Sequence, residues 1–220
     1  MEHLESMTDF FAARVEGYDE HMLCEVEGCK EGYIAMAGLV PKNTKNLLDL
    51  GCGTGLELDE IFKTFPDIAV TGIDLTQPML DKLKEKHPDK NLNLICGDYF
   101  TVDLGMKKFD CCVSFQTMHH FTHAKKIELY QKICSALTDT GCYIECDYMV
   151  ESQEEEDFLF GENERLRKEQ NIPEGEFCHF DTPCTIENQI AMLKAAGFQN
   201  VTQKFRVGNT TILVAGVIGI

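Results

Sequence analysis

The stretch NLLDLGCGTGLELDE, residues 46–60, constrains this chain more than any other. An apolar run of strand character leads into three glycines within five positions, Gly51, Gly53 and Gly55, and then into a helical pattern. Glycine tolerates left-handed backbone and lets a ligand approach the main chain closely. Where such a turn joins strand to helix at the carboxyl edge of a parallel sheet, it forms a ligand crevice. The dinucleotide fingerprint G-x-G-x-x-G is not met, because Leu56 stands where the third spaced glycine belongs. Asp49, just before the turn, adds negative charge where a phosphate loop favours none. The turn therefore suits a ligand without phosphate, preferably one with a positive centre.

Strand and helix signals alternate from residue 46 onward, the pattern of parallel β-α units. Leu58, Ile61, Phe62 and Phe65 recur at helical spacing over 56–65, and IAVTGID (68–74) follows as a β-branched strand. Thr76 is placed to cap the next helix, with Pro78 in its first turn and Met79, Leu80 and Leu83 inward. NLNLICGD (91–98) and FDCCVSF (109–115) read as strands, then a helix over about 123–137, a DTG turn (139–141) and a fifth strand over 142–148. The acidic run 151–170 reads as a solvated helix and 171–184 as loop. Thr185 opens a helix that Gly197 closes, and two strands, VTQKFRV and TILVAGVI, meet at the hairpin signal Gly208-Asn209. The expectation is an α/β fold: a Rossmann-like seven-stranded mixed sheet with a terminal antiparallel hairpin and helices on both faces. Residues 1–220 form one domain, with 1–40 as a helical cover and 151–184 as an insertion over the active site.

Charge narrows the partners. The formal net charge is -17, from 37 acidic against 20 basic residues, so polyanions are repelled and nucleic acid is not expected as substrate. No run of 18 apolar residues occurs and the N-terminus MEHLESMTDF is acidic, which argues against a membrane span or signal peptide and for a cytoplasmic location. Eleven cysteines, an odd number scattered through an α/β pattern, do not make a disulfide framework. Cys111, Cys112, Cys142 and Cys146 fall in strands as small buried hydrophobes. Neither Cys24 and Cys29 nor Cys178 and Cys184 have the C-x2-C spacing of structural zinc, so no metal is expected.

LLDLGCGTG resembles the first motif of the class I S-adenosylmethionine (SAM)-dependent methyltransferases, and the resemblance extends over about residues 46–217, including AAGF and the terminal hairpin. It implies SAM as cofactor and S-adenosylhomocysteine as product. Asp49, Gly51, Gly53 and Gly55 match the cofactor turn. Asp74 matches the carboxylate that accepts both ribose hydroxyls, with Leu75 and Met79 beside it. Asp98 matches the residue at the adenine amino group, with Tyr99 adjacent. SFQTMHHF (114–121) resembles the segment after strand four, which puts Gln116 near the methionine moiety and Met118 near the base. FFAARVEGYDEHM (10–22) resembles the opening segment of bacterial small-molecule methyltransferases, whose tyrosine and basic residue approach the methionine end.

A sulfonium methyl is already electrophilic, so the protein has mainly to align a nucleophile with it, an orientation effect of roughly 7–11 kcal/mol. The acceptor-side candidates are Arg14, Tyr18, Asp147, Tyr148, His179 and Asp181. His119 and His120 are the catalytic candidates, because a neutral imidazole with pKa about 6.5 can take a proton from a hydroxyl, thiol or amine. The D/N-P-P-Y/F tetrapeptide of amide- and adenine-nitrogen methylases is absent: residues 114–117 read Ser-Phe-Gln-Thr. Pro183-Cys184 lies far beyond the position of the Pro-Cys of cytosine-C5 methylases. A small-molecule acceptor is therefore expected, in a monomer or homodimer. Three rivals stay open: a thiophilic metalloid such as arsenite held by Cys24, Cys29, Cys178 and Cys184, modification of SAM itself as in carboxy-SAM synthesis, and a non-enzymatic SAM-binding module.

Overall fold

The computed structural model describes residues 3–173 and 175–217. At its centre lies β1 (Asn46–Leu50), where Leu47, Leu48 and Leu50 are all fully buried because helices cover both faces of the sheet. Side chains alternate across a strand, so Leu47 joins one apolar core and Leu48 the other. β1 pairs in parallel with β2 (Ala69–Asp74) on one side and β4 (Phe109–Phe115) on the other. With β3 (Leu92–Cys96), β5 (Leu137–Val150), β7 (Asn200–Val207) and β8 (Thr210–Gly216), the order is β3-β2-β1-β4-β5-β8-β7. β8 runs antiparallel to both its neighbours, which makes the terminal hairpin.

An eighth strand departs from the expected seven. β6 (Cys184–Thr185) pairs with the end of β5 at Met149 and Val150, inside a segment that reads as loop. Two residues carry no hydrophobic period, and the pairing is fixed by a tertiary contact: the Thr185 amide donates to Glu156 Oε2 at 2.6 Å. The DTG turn is likewise absorbed. β5 is continuous from Leu137, and its register against β4 shifts between Phe109 and Cys111 to take up the extra residues. The expected strand through Ile218 ends at Gly216, and Ile218 lies outside the described residues.

α3 (Cys29–Leu39), α4 (Leu56–Thr64) and α5 (Gln77–Lys86) contribute Met36, Leu58, Ile61 and Leu83 to the first core, so α3 is a sheet-packing helix rather than part of a cover. On the opposite face, α6 (His123–Ala136) and α8 (Ile186–Ala195) bury Tyr130, Ile133 and Leu193. Thr185 caps α8 through the Asn188 amide, as its sequence position suggests. Thr76 does not cap α5; its hydroxyl donates to Asp74 instead.

The cover proper is α1 (Met7–Arg14) and α2 (Tyr18–Cys24). Ser6 caps α1, and the helix is pinned to the loop beyond α7 (Gln153–Glu169) by Met7 N to Phe177 O (3.0 Å) and His179 N to Glu5 O (2.9 Å). Among the described residues no helix is long and apolar enough to cross a membrane.

Gly55 shows how tightly the turn packs. Its φ is +77°, and an added Cβ would lie 2.3 Å from Leu83 Cδ1 in the core. Gly55→Ala should destabilise the protein by about 1–3 kcal/mol in denaturant unfolding. Gly17→Ala, where an added Cβ meets nothing within 4 Å, should lie within about 0.5 kcal/mol of wild type.

Candidate active site

The turn after β1 is built on β2. The amides of Gly51 and Cys52 both donate to Ile73 O, at 2.8 and 3.2 Å, and the Gly53 amide donates to Asp74 Oδ2 at 3.0 Å. Asp74 Oδ1 accepts from the Thr76 amide and hydroxyl, each at 2.8 Å. Each carboxylate oxygen offers about two lone-pair sites, so Oδ1, with two donors, is filled, and Oδ2, with one, keeps a lone pair unused. Burial raises the Asp74 pKa, while the Thr76 and Gly53 donors hold it down. Gly51 cannot be replaced freely: with φ +71°, an added Cβ would come within 2.7 Å of Thr117 Oγ1.

A narrow crevice runs over this turn, lined by Gly51, Gly53, Asp74, Leu75, Met79, Tyr99 and Gln116 and roofed by Met7, Phe11 and Phe177. It leaves about 50 Å³ free, far less than the few hundred Å³ of a typical ligand site, so a nucleoside must displace the roof to enter. Gln116 has φ +50°, an uncommon conformation for a non-glycine residue at the end of β4. Its amide donates to Cys146 O at 2.8 Å, and its side chain donates to Thr210 Oγ1 at 3.3 Å, which aims it at the crevice mouth.

Four of the sequence candidates do not line the crevice. Asp98 Oδ1 accepts the Phe100 amide at 2.8 Å and stabilises the following turn. Met118 is fully buried in the second core. Gly55 serves the packing of Leu83. Asp49 lies beneath the turn, completely buried, and neither of its oxygens has a hydrogen-bond partner. Burial, and then the charge of Glu57, push its pKa well above the usual carboxylate range. Glu57, also buried, is itself raised to about 7, chiefly by burial.

These features test the fit of SAM. No lysine or arginine stands among the described lining residues, so a pyrophosphate finds no countercharge. Two bare glycine backbones and a carboxylate with a lone pair to spare suit a nucleoside with a positive centre.

The crevice opens into a cavity of about 780 Å³. Of the acceptor-side candidates, Arg14, Tyr18, Tyr148, His179 and Asp181 line it, together with His119 and His120. Asp147 does not: it is 1% exposed and stands behind His119, whose Nδ1 it meets at 2.7 Å. Burial opposes a charge on His119, but Asp147 and Asp181 outweigh it and raise the pKa to about 10. Burial and the charge of His119 drive His120 the other way, well below the ordinary imidazole value. Sequence reasoning missed Phe10, Phe11, His21, Asn209 and Thr210, which also line the cavity. Asn209 and Thr210 belong to the terminal hairpin, where local pattern signals only a turn. The four cysteines of the metalloid rival do not converge: Cys29, Cys184 and Cys178 sit in three separate apolar cores and Cys24 is exposed.

This sheet order, with a glycine turn and a strand-two carboxylate at its carboxyl edge, is that of the class I SAM-dependent methyltransferase fold. Residues 47–141 match the family model described as a methyltransferase domain. A malonyl-[acyl-carrier protein] O-methyltransferase of Priestia megaterium is 32% identical over 89 residues, which is 40% of this chain but only 32% of that protein. A carboxy-S-adenosyl-L-methionine synthase of a Nitratiruptor species is 25% identical over 90% of this chain and 88% of its own length. Among solved structures, a putative O-methyltransferase of Nostoc punctiforme superposes with TM-score 0.71 at 19% identity, over 97% of this chain and 62% of its own. Human N-acetylserotonin methyltransferase, solved with SAM, gives TM-score 0.67 at 16% identity, over 94% and 56%. At these identities the structural likeness speaks for the fold.

The acid pair generates a pH test. A carboxyl whose pKa is raised on folding keeps a proton that the unfolded chain releases, so its contribution to stability is lost as pH rises through the folded value. For Glu57 that window runs from the ordinary 4.5 to about 7. Between about pH 5 and about pH 8, the stability of wild type relative to Glu57→Gln should fall in thermal unfolding of the ligand-free protein. Parallel curves would show that Glu57 does not titrate in that window.

Proposed function

We propose that the protein transfers the methyl group of SAM to a heteroatom of a small molecule held in the larger cavity. The observation that carries this reading is a shared wall: Phe11, Tyr18, Gln116 and His120 line both the crevice and the cavity. A group carried at the end of one space therefore faces the other.

SAM, when bound, supplies a methyl group on a positively charged sulfur. Gly51, Gly53, Asp74, Leu75, Met79 and Tyr99 hold its nucleoside, and Gln116 its methionine end. The cover excludes water with Met7 and Phe11. On the acceptor side, Phe10, Phe11, Tyr18 and Tyr148 offer an apolar, aromatic seat of the size that suits a compact organic molecule. His119 and His120 are the polar groups that meet the acceptor's heteroatom and favour its deprotonated form, with Asp147 orienting His119 from behind. His179 and Asp181 complete that polar end.

Modification of SAM itself is less well supported. A second carboxylate on the cofactor calls for a free cationic side chain in the cavity. Arg14, the one arginine or lysine among the described lining residues, is held by Glu5 through two contacts at 3.1 and 3.2 Å. The acidic surface, net charge -17, favours a small acceptor over a polyanion.

Isothermal titration with S-adenosylhomocysteine should show saturable binding to the wild type. Asp74→Ala, with its folded state checked by circular dichroism, should weaken it by about tenfold to a hundredfold, or ~1.5–3 kcal/mol. Incubation with SAM and a panel of phenolic, thiol and amine acceptors should release S-adenosylhomocysteine. His120→Ala should lower kcat by about a hundredfold while leaving cofactor affinity within about twofold. Tight cofactor binding with no product from any acceptor class would defeat the reading.

A further inference from the structure

The polar end of the cavity has separations that belong to ligands around an ion rather than to hydrogen-bonded pairs. Asp181 Oδ1 is buried and accepts no hydrogen bond, yet three imidazole nitrogens surround it: His119 Nε2 at 3.4 Å, His120 Nδ1 at 3.5 Å and His179 Nε2 at 3.9 Å. An N–H···O hydrogen bond places its heavy atoms about 2.7–3.2 Å apart. Donor atoms about 2.0–2.1 Å from a tetrahedral ion stand about 3.4 Å from one another. The ligating atoms of His119, His120 and Asp181 all lie within 4.8 Å of one another.

We infer that His119 Nε2, Asp181 Oδ1 and His120 Nδ1, which also lies 3.4 Å from Phe180 O, bind a divalent transition-metal ion and leave its fourth position open, with His179 alongside.

The surroundings are those of a built site. His119 Nδ1 faces Asp147 Oδ1 at 2.7 Å, a carboxylate partner that fixes the ring and leaves Nε2 as the lone-pair donor. Asp147 is buried and spends this oxygen on nothing else among the contacts of the site. His119 is clamped through its backbone as well: its carbonyl accepts from both the amide and the hydroxyl of Thr182, at 2.7 and 3.0 Å. Those two bonds bind the segment carrying His179 and Asp181 to the turn carrying the histidine pair. The His179 ring is stacked on Phe10, with centroids 3.5 Å apart and planes 8° from parallel. Side chains held this way are preorganised rather than assembled by the ion.

The donor set selects the ion. Imidazole nitrogens with a single carboxylate suit Zn²⁺, Fe²⁺, Co²⁺ or Ni²⁺, whereas Mg²⁺ and Ca²⁺ take oxygen cages. Cysteine spacing, from which no metal is expected, is irrelevant here, because the ligands come from two distant segments and none is a thiol. Resting on the methyl-transfer reading, the ion takes the acceptor's hydroxyl or thiol as its exchangeable ligand. A bound divalent ion lowers the pKa of such a group and orients it.

The test uses tag-free full-length protein stripped with chelator. Titration with Co²⁺ should develop visible ligand-field absorption, and dialysis against Zn²⁺ followed by elemental analysis should retain about one equivalent. Asp181→Asn and His119→Ala should each weaken binding by at least about a hundredfold, and the positioning variant Asp147→Asn by about 10- to 100-fold. S-adenosylhomocysteine titration and circular dichroism on the same samples report whether each variant is folded and whether the cofactor site is intact. Less than about 0.1 equivalent of Zn²⁺ and of Co²⁺ in protein that binds S-adenosylhomocysteine would overturn the metal site and leave the methyltransferase reading standing. Unchanged Zn²⁺ affinity in both Asp181→Asn and His119→Ala would overturn it equally.

Discussion

Asp74 holds together the two β-α crossovers on which the cofactor site depends. One of its oxygens accepts the Gly53 amide from the turn after β1, and the other accepts the Thr76 amide and hydroxyl from the turn after β2. A single half-buried carboxylate thus ties together two neighbouring helix entries. The glycine turn is then fastened to the same strand by two amides on Ile73 O. A hydrogen-bond donor approaching this point meets a carboxylate that the backbone has already oriented, so little reorganisation is needed on binding.

The interior beneath this edge is rich in buried acid groups. Asp49 and Glu57 lie under the turn, and Glu145 and Asp147 sit further along β5, all fully or almost fully buried. Burial raises Glu145 to about 7, with the neighbouring Asp147 adding to the effect. A fold does not collect uncompensated carboxyls without cost, since each charge taken from water must be paired or neutralised. Asp49 and Glu57 lie under the crevice, and Asp147 stands behind His119 at the cavity's polar end.

Much of the scaffold was legible in the residues. NLLDL and FDCCVSF coincide with β1 and β4 because continuous apolar runs between turn signals leave few alternatives for a strand covered on both faces. Thr185 and Gly208-Asn209 were readable because caps and two-residue turns depend on local chemistry. Misreadings arose where a distant group overrode the local signal. Thr76 has a capping sequence position, but Asp74 captures its hydroxyl. Met118 follows a motif that suggests the base, yet its side chain points into the second core. β6 exists because Glu156 and the end of β5 accept two residues that carry no strand signal.

By itself, the sequence determined the order of strands and helices, the glycine turn, the carboxylate ending the second strand, and hence the cofactor class, because all of these lie within a few residues of the signals that specify them. Only the tertiary structure decided that Gln116 and His120 stand between two spaces, that Asp147 backs His119 rather than lining the cavity, and that His179 and Asp181 join the histidine pair. Those relations link residues far apart in the chain. They are set by the packing of the cover, the insertion and the terminal hairpin against one sheet edge, a long-range outcome to which local periodicity is blind.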